Sequence, residues 1–209
     1  MVETLRELGR VKLTQVQPTG LIIETSSCST YDPTRRVEVN RLHITPQGIE
    51  ATTPNGERVL DIHHTAHPQT RYLGDDDVSI GFTSHYAAMR TRFGEHLLDG
   101  IAGENITIEY ENEIWLEDLG QQIAIVNTET GRMTLLDVKD YAAPCEEFCH
   151  FAARSQHERL PADRLKATLQ FMGNGRRGFL LVLSDGQVSA EVQPGDSVVV
   201  VRADQSSPA

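Results

Sequence analysis

The sequence predicts a mainly β fold, a β-barrel or sandwich carrying about three helical insertions. Short apolar-alternating runs recur at roughly 8–12-residue spacing between Gly, Pro and Asn turn signals, the pattern of a barrel or sandwich. Only three stretches keep a helical period. The 39% hydrophobic content of the 209 residues can support a buried core without disulfide or metal staples.

Taken in order, Val11 to Ile23 alternates and is rich in β-branched residues, with Pro18-Thr19-Gly20 interrupting it. Residues 26–36 read as a long loop. From Arg36 to Ile44 the alternation points Val37, Val39 and Ile44 inward. Turns follow at Pro46-Gln47-Gly48 and Pro54-Asn55-Gly56. Asn-Gly between two alternating runs is a hairpin signal, so residues 37–62 read as a meander of three short strands. Asp75-Asp76-Asp77 breaks the pattern. Thr83 or Ser84 can cap a helix to about Leu98, whose apolar stripe is Tyr86, Met89, Phe93 and Leu97. Gly100 and Gly103 close it.

Ile106 and Ile108 alternate in a strand, and two more strands, Ile123 to Asn127 and Met133 to Val138, flank Glu129-Thr130-Gly131. After Cys145 the period becomes helical through Phe148, Cys149 and Ala152. A further helix begins near Pro161, favourable at a first helical position, and buries Leu165, Leu169 and Met172. Gly178 to Leu183, Val188 to Val192 and Ser197 to Val201 finish the sheet. Residues 1–203 read as one domain, with no internal repeat and no linker. The polar tail 204–209 reads as disordered.

The formal net charge is −11, which argues against nucleic acid as a partner, since phosphate binding needs a basic face. No apolar run approaches the roughly 18–20 residues needed to span a bilayer. Charges at short intervals through Met1 to Arg10 exclude a signal peptide, so the expected location is the cytoplasm. Three cysteines, Cys28, Cys145 and Cys149, argue against a disulfide framework and leave thiols available for chemistry.

Cys145 is the leading candidate for that chemistry. Pro144 holds Ala143 extended, and a helix starting here sets the thiol near its N-terminus, which favours the thiolate. A thiolate is a nucleophile and a soft metal ligand. Glu146 and Glu147 oppose this locally, and the competing reading is a buried structural cysteine. Cys149, one turn on, reads as core. His63, His64 and His67 cluster with Asp61; His64 and His67 at i, i+3 suit a metal if helical, while Pro68 favours a turning loop. Gly175-Arg176-Arg177-Gly178 is a basic turn where amides and two guanidiniums can grip an anion, though it lacks the spacing of a nucleotide-binding loop. Asp75-Asp76-Asp77 has no EF-hand pattern and reads as a solvated loop.

Together these segments resemble the MOSC family, named for the C-terminal domain of molybdenum cofactor sulfurase. Gly103-Glu104-Asn105-Ile106-Thr107 resembles that family's Gly-Glu-Asn-Leu-Thr, and Pro144-Cys145 its Pro-Cys. Gly175-Arg176-Arg177-Gly178-Phe179, followed by Val182-Leu183, Gly186, Val188 and Gly195-Asp196, resembles its closing pattern. Ser84-His85-Tyr86 resembles the segment that opens its helix. The similarity spans about residues 10–202.

The resemblance implies a β-barrel of the MOSC or pyruvate-kinase-barrel type. It implies that Cys145 ligates molybdenum or handles sulfur, and that the cofactor is a pyranopterin molybdenum cofactor. That cofactor is an organophosphate, which makes Arg176 and Arg177 candidate phosphate contacts. Glu104, Asn105, His63, His64 and His67 complete the expected binding set. The implied activity is reduction of N-hydroxylated substrates with an external electron-donor protein. The alternatives are sulfur relay from a cysteine desulfurase, or non-catalytic cofactor carriage. The chain departs from the family pattern at Ala142, where many members carry arginine, and at Glu146 and Glu147, where a basic residue is common.

Overall fold

The computed structural model describes residues 4–26, 28–53, 55–71, 78–156 and 158–202. Asp75-Asp76-Asp77, Pro54, His157 and the tail 204–209 lie outside the described residues. The elements run β1 Thr4–Val16, β2 Ile22–Glu24, β3 Ser29–Tyr31, β4 Val37–Val39, β5 Leu42–Thr45, β6 Gly48–Thr52, β7 Arg58–Leu60, β8 Val78–Phe82, α1 Thr83–Phe93 and β9 Ile106–Glu109. Then come α2 Leu116–Leu119, β10 Gln122–Val126, β11 Met133–Tyr141, α3 Glu146–Ala152, α4 Ala162–Met172, β12 Phe179–Leu183, β13 Ala190–Val192 and β14 Ser197–Arg202.

The main sheet has the order β14-β10-β11-β12-β8-β9-β1-β4, and β14 also pairs with β1. That pairing closes seven strands into a barrel, which removes the exposed edges an open sheet would carry. β1 can serve two neighbours along its length because it bends. Its first half pairs with β14, and its second half with β9 and β4. The bend sits at a bulge between Glu7 and Gly9. Gly9 has φ +124°, and a Cβ there would lie against the carbonyl of Glu109 in β9, so the close approach of the strands demands glycine. β8 and β9 pair in parallel, with α1 as the crossover that a parallel pair requires.

Alternation decides what the barrel buries. Ile123 and Ile125 of β10, Phe179 and Leu181 of β12, and Val198 and Val200 of β14 all point inward. A small sheet of order β13-β5-β6-β7 adds Leu42, Ile44, Ile49 and Val192 to the same core. A second apolar cluster lies among the helices, where Tyr86, Met89, Phe148, Cys149 and Met172 pack with Tyr31 from the β2–β3 hairpin.

Several expectations need correction. Residues 26–36 hold β3 and a 3-10 turn, Pro33–Arg35, because Ser29–Tyr31 pairs with β2. Residues 37–62 hold the expected three-strand meander as β5, β6 and β7, the last two joined at the Asn55-Gly56 turn, where Gly56 takes φ +82°, while Val37–Val39 pairs with β1 in the main sheet. α1 stops at Phe93 because Gly94 leaves the helix at φ +111°. Neither Thr83 nor Ser84 is its cap: Phe82 holds that position, and Thr83 Oγ1 instead donates to the Tyr110 carbonyl. The described residues hold four α-helices; the unexpected one, α2, is a single turn whose Asp118 carboxylate accepts from the Trp115 amide.

Candidate functional site

The site assembles at the seam between the barrel and the helical cluster. β11 ends at Tyr141, and the Ala142 amide donates to the Gly178 carbonyl at 2.9 Å, tying the approach to Cys145 to the basic turn. Pro144 cannot extend a helix backwards, so α3 begins after it and Cys145 takes the N-cap with extended backbone, φ −97° and ψ 156°. Its sulfur is half-buried. One turn on, Cys149 is sealed among Phe148, Ala152 and Met172, and burial pushes its thiol up to about 12. The charge of Glu146, in the first turn of α3, is turned outward toward Arg159.

The turn from Gly173 to Gly178 separates the two arginines. Positive φ at Asn174, Gly175 and Gly178 folds the chain so tightly that neighbouring side chains leave on opposite sides. Arg177 enters the site. It donates through Nη1 to Cys145 Sγ at 3.5 Å and through Nη2 to the Ala102 carbonyl at 2.8 Å. Its guanidinium lies 4.6 Å above the Phe148 ring. Arg176 is turned away. It donates to the Phe171 carbonyl at 2.6 Å and to Glu113 at 2.6 Å, and packs over the rings of Phe171 and Trp115. The expectation of two adjacent guanidiniums gripping one anion is therefore not met by Arg176 and Arg177. The second guanidinium facing the cleft is Arg71, which the sequence reading missed.

The cleft has two adjoining lobes. One, of about 160 Å³, is lined by Cys145, Arg177, Tyr31 and Arg71. The other, of about 140 Å³, is lined by Glu104, Ser79, Ala142 and Leu180. Gln17, His63, Ala102 and Arg177 face both.

His63 is held by Asp61. The buried carboxylate accepts from the His63 amide at 3.0 Å and lies 2.9 Å from His63 Nδ1. Its other oxygen accepts from the Gln17 amide and from Asn105 Nδ2. An acceptor-only carboxylate fixes the ring as an Nδ1–H donor. Asn105 also accepts from the Ser79 amide and hydroxyl at 3.0 and 2.8 Å, so its side chain binds β8 to the Asp61 loop from within the scaffold.

His64 and His67 do not line the cleft. Residues 61–70 form linked turns, with the amides of His64, His67 and Thr70 donating to the carbonyls three residues back. The helix that would pair their rings is absent. His64 accepts from the Ala66 amide, and burial lowers its pKa. His67 spans the Pro18 carbonyl and the Gln69 amide. Among the described residues, no three His, Cys, Asp or Glu side chains are grouped to hold a metal ion.

Glu104 is deeply enclosed, at 3% exposure. Oε2 accepts from the Tyr86 hydroxyl at 2.5 Å, and that hydroxyl accepts from the Ala102 amide. Burial raises the carboxyl's pKa, against the opposing pull of the Tyr86 hydrogen bond and the Arg177 charge. Gln17, Tyr31 and Arg71 reach the site only through the fold, and no local motif marks them; Tyr86 stands in the Ser84-His85-Tyr86 segment, but its contact with Glu104 comes from the fold.

Comparison with known proteins agrees with this architecture. A family model described as MOSC domain matches residues 61–199, a span that leaves out the barrel strand β1. No curated protein matches. Among solved structures, the YuaD protein from Bacillus subtilis superposes with a TM-score of 0.60 at 12% identity, covering 97% of this chain and 100% of that one. A protein described as hypothetical gives 0.50 at 14% identity, over 93% and 68%. YiiM from Geobacillus stearothermophilus gives 0.49 at 16% identity, over 97% and 77%. At these identities the likeness is one of fold.

Proposed function

The chain belongs to the MOSC domain family, and on that premise we propose that its cleft binds a pyranopterin molybdenum cofactor through Cys145 and reduces N-hydroxylated substrates. One observation carries the reading: a half-buried thiol faces a cleft with a guanidinium nitrogen 3.5 Å from its sulfur. A guanidinium N–H donated to that sulfur fixes it facing the cleft, where a cysteine can serve as a soft metal ligand.

The donor set fits the cofactor. A caged bare ion needs several protein ligands, whereas a pyranopterin brings sulfur donors of its own and needs one soft ligand, which Cys145 offers. Arg177 and Arg71 both line the sulfur lobe and bring positive charge to it, and these are the phosphate contacts we assign in place of the Arg176–Arg177 pair. When bound, molybdenum supplies the two-electron chemistry that splits the N–O bond. In that reaction the substrate gains two electrons and two protons and releases water.

This chain's own residues hold and orient. Arg177 bridges Cys145 to Ala102 and so fixes the sulfur relative to the segment that carries Glu104. His63, oriented by Asp61, puts an imidazole on both lobes, in position to move a proton. Asn105 and Ser79 keep the Asp61 loop in register. The electrons come from an external donor protein, and the cytoplasm is where we place the activity.

The test is turnover. Full-length protein from cells that make the cofactor, supplied with reduced viologen, is expected to convert a benzamidoxime to its amidine, and Cys145→Ser to lose that activity. A wild type that carries molybdenum but reduces no N-hydroxylated compound would make the protein a carrier. A second reading uses the same sulfur without metal. The Cys145 thiolate attacks the outer sulfur of a desulfurase persulfide, the donor thiolate leaves, and the persulfide then rests on Cys145. Mass spectrometry after incubation with a cysteine desulfurase and cysteine distinguishes it.

A further inference from the structure

We propose that Glu104 is a neutral carboxylic acid whose Oε1–H, together with the guanidinium of Arg177, receives an oxyanion in the second lobe of the cleft. The inference takes from the proposed function only that this cleft is where a ligand binds.

A chain of hydrogen bonds decides which oxygen carries the proton. The Ala102 amide donates to the Tyr86 hydroxyl at 3.1 Å, so that hydroxyl must point its own hydrogen elsewhere, and it donates to Glu104 Oε2 at 2.5 Å. Oε2 is an acceptor. Oε1 is buried with no partner, although buried polar atoms are almost always paired. A bare carboxylate oxygen sealed from water would be strongly unfavourable. A carboxyl carrying its proton on Oε1 removes the charge and presents a donor.

The local backbone keeps that oxygen in place. A Cβ on Gly81 would stand 2.9 Å from Oε1, and one on Gly178 would stand 2.9 Å from Glu104 Cγ. Both glycines thus make room for the carboxyl between β8 and the basic turn.

Arg177 does not neutralise Glu104 directly. Its two terminal nitrogens go to Cys145 and Ala102, and its Nε is also buried without a partner. Both residues line the second lobe, and each carries one buried polar atom without a partner, so the wall of that lobe holds two donors that an entering oxyanion would satisfy. Paired donors, one charged and one neutral, select an oxygen acceptor bearing negative charge. The other charged or titratable groups acting on the carboxyl are Tyr86 from α1, Tyr31 from β3 and Arg36 ahead of β4, and His63 from the turn loop lines the same lobe. The raised pKa of Glu104, caused first by burial, agrees with this assignment.

The experiment uses the full chain as purified and two probes whose charge is constant across the working pH range. Sulfate reports on a free oxyanion, and benzenesulfonate on the same group carried by a larger ligand. Binding of either supports the site and identifies the source. Affinity is expected to fall about tenfold per pH unit once Glu104 ionises, because only the protonated form is competent. Glu104→Gln keeps an N–H donor and cannot titrate, so it is expected to bind without that pH dependence. Glu104→Leu removes the donor and is expected to weaken binding at least about tenfold.

Infrared difference spectra at neutral pH are expected to show a deuteration-sensitive protonated-carboxyl band that Glu104→Gln lacks. Tyr86→Phe shifts that band and serves if Glu104→Gln fails to fold. The proposal is overturned if neither ion binds at any pH, if Glu104→Gln retains the pH dependence, or if the band is missing. None of these outcomes bears on molybdenum content, so this inference and the proposed function fail separately.

Discussion

Arg177 joins two parts of the cleft by donating to the sulfur of Cys145 at 3.5 Å and to the carbonyl of Ala102 at 2.8 Å. The contact crosses 32 residues of sequence and links the basic turn ahead of β12 to the start of α3. It also puts the guanidinium on the Phe148 ring, so the charge is anchored on its apolar side as well.

Removing that charge changes the reactivity of the thiol. In a Cys28→Ser background, Arg177→Met is expected to slow alkylation of Cys145 by iodoacetamide about tenfold at neutral pH, given the strength of charge-assisted hydrogen bonds. Arg177→Lys is expected to recover little, because a point charge cannot bridge sulfur and carbonyl together. Cys149 remains unlabelled in the native protein, since its buried thiol is pushed up to about 12. Peptide mass spectrometry over a time course reads all three.

Arg176 separates from its neighbour in the opposite sense. Arg176→Met loses the bonds to the Phe171 carbonyl and Glu113 and the stacking over two rings. A stability loss of about 1–2 kcal/mol is expected, mostly from the carbonyl bond and the ring contacts, since the Glu113 pair is solvent-screened. Cys145 alkylation is expected to be unchanged. Thermal unfolding and labelling, run together, show whether the two arginines divide these roles.

His85 sets an acid limit on stability. It is buried, stacks on Trp115 with ring centroids 5.4 Å apart, and accepts from the Ile114 amide. Burial, aided by the Arg176 charge, lowers its pKa from 6.5 to about 4. A folded-state pKa below the unfolded one means the unfolded chain takes up the proton first. Stability is then complete above pH 6.5 and is lost as pH falls toward 4, by up to about 3 kcal/mol. His85→Phe keeps the stacking and is expected to flatten that slope in urea titrations between these pH values. Glu104, with its pKa raised, contributes with the opposite sign, losing stability as pH rises through its own titration.

Gly178 cannot take a side chain. With φ +104°, a Cβ would stand 2.5 Å from the Ile80 carbonyl oxygen and press on Glu104. Gly178→Ala is expected to destabilise by about 2 kcal/mol or more through left-handed strain and the clash. Gly186, with a similar φ but no atom within 4 Å of its Cβ position, is the control, losing only the smaller conformational share.

The sequence disclosed the fold well where burial imposes a period. Phe179, Leu181 and Leu183 in β12, and Val198 and Val200 in β14, alternate because one face of each strand is buried in the barrel. It disclosed less where few residues pair. Ser29–Tyr31 is three residues long and is a strand only through its partner, Ile22–Glu24. At the site, Cys145 and Arg177 stand in recognisable motifs, yet the sequence could not show that Arg176 faces the other way. That depends on positive φ at Asn174 and Gly175, not on residue type. Tyr31, Gln17 and Arg71 carry no signal of their own, because strand pairing and turns bring them to the cleft from distant positions.

Elemental analysis paired with pterin detection decides whether Cys145 anchors a molybdenum cofactor, as proposed. The protein is to be purified from cells that make the cofactor, as wild type and as Cys145→Ser. Near-stoichiometric molybdenum and pterin are expected in the wild type, with loss of the metal in a folded Cys145→Ser variant. Wild-type protein without molybdenum, or a serine variant that retains as much, would contradict that anchoring.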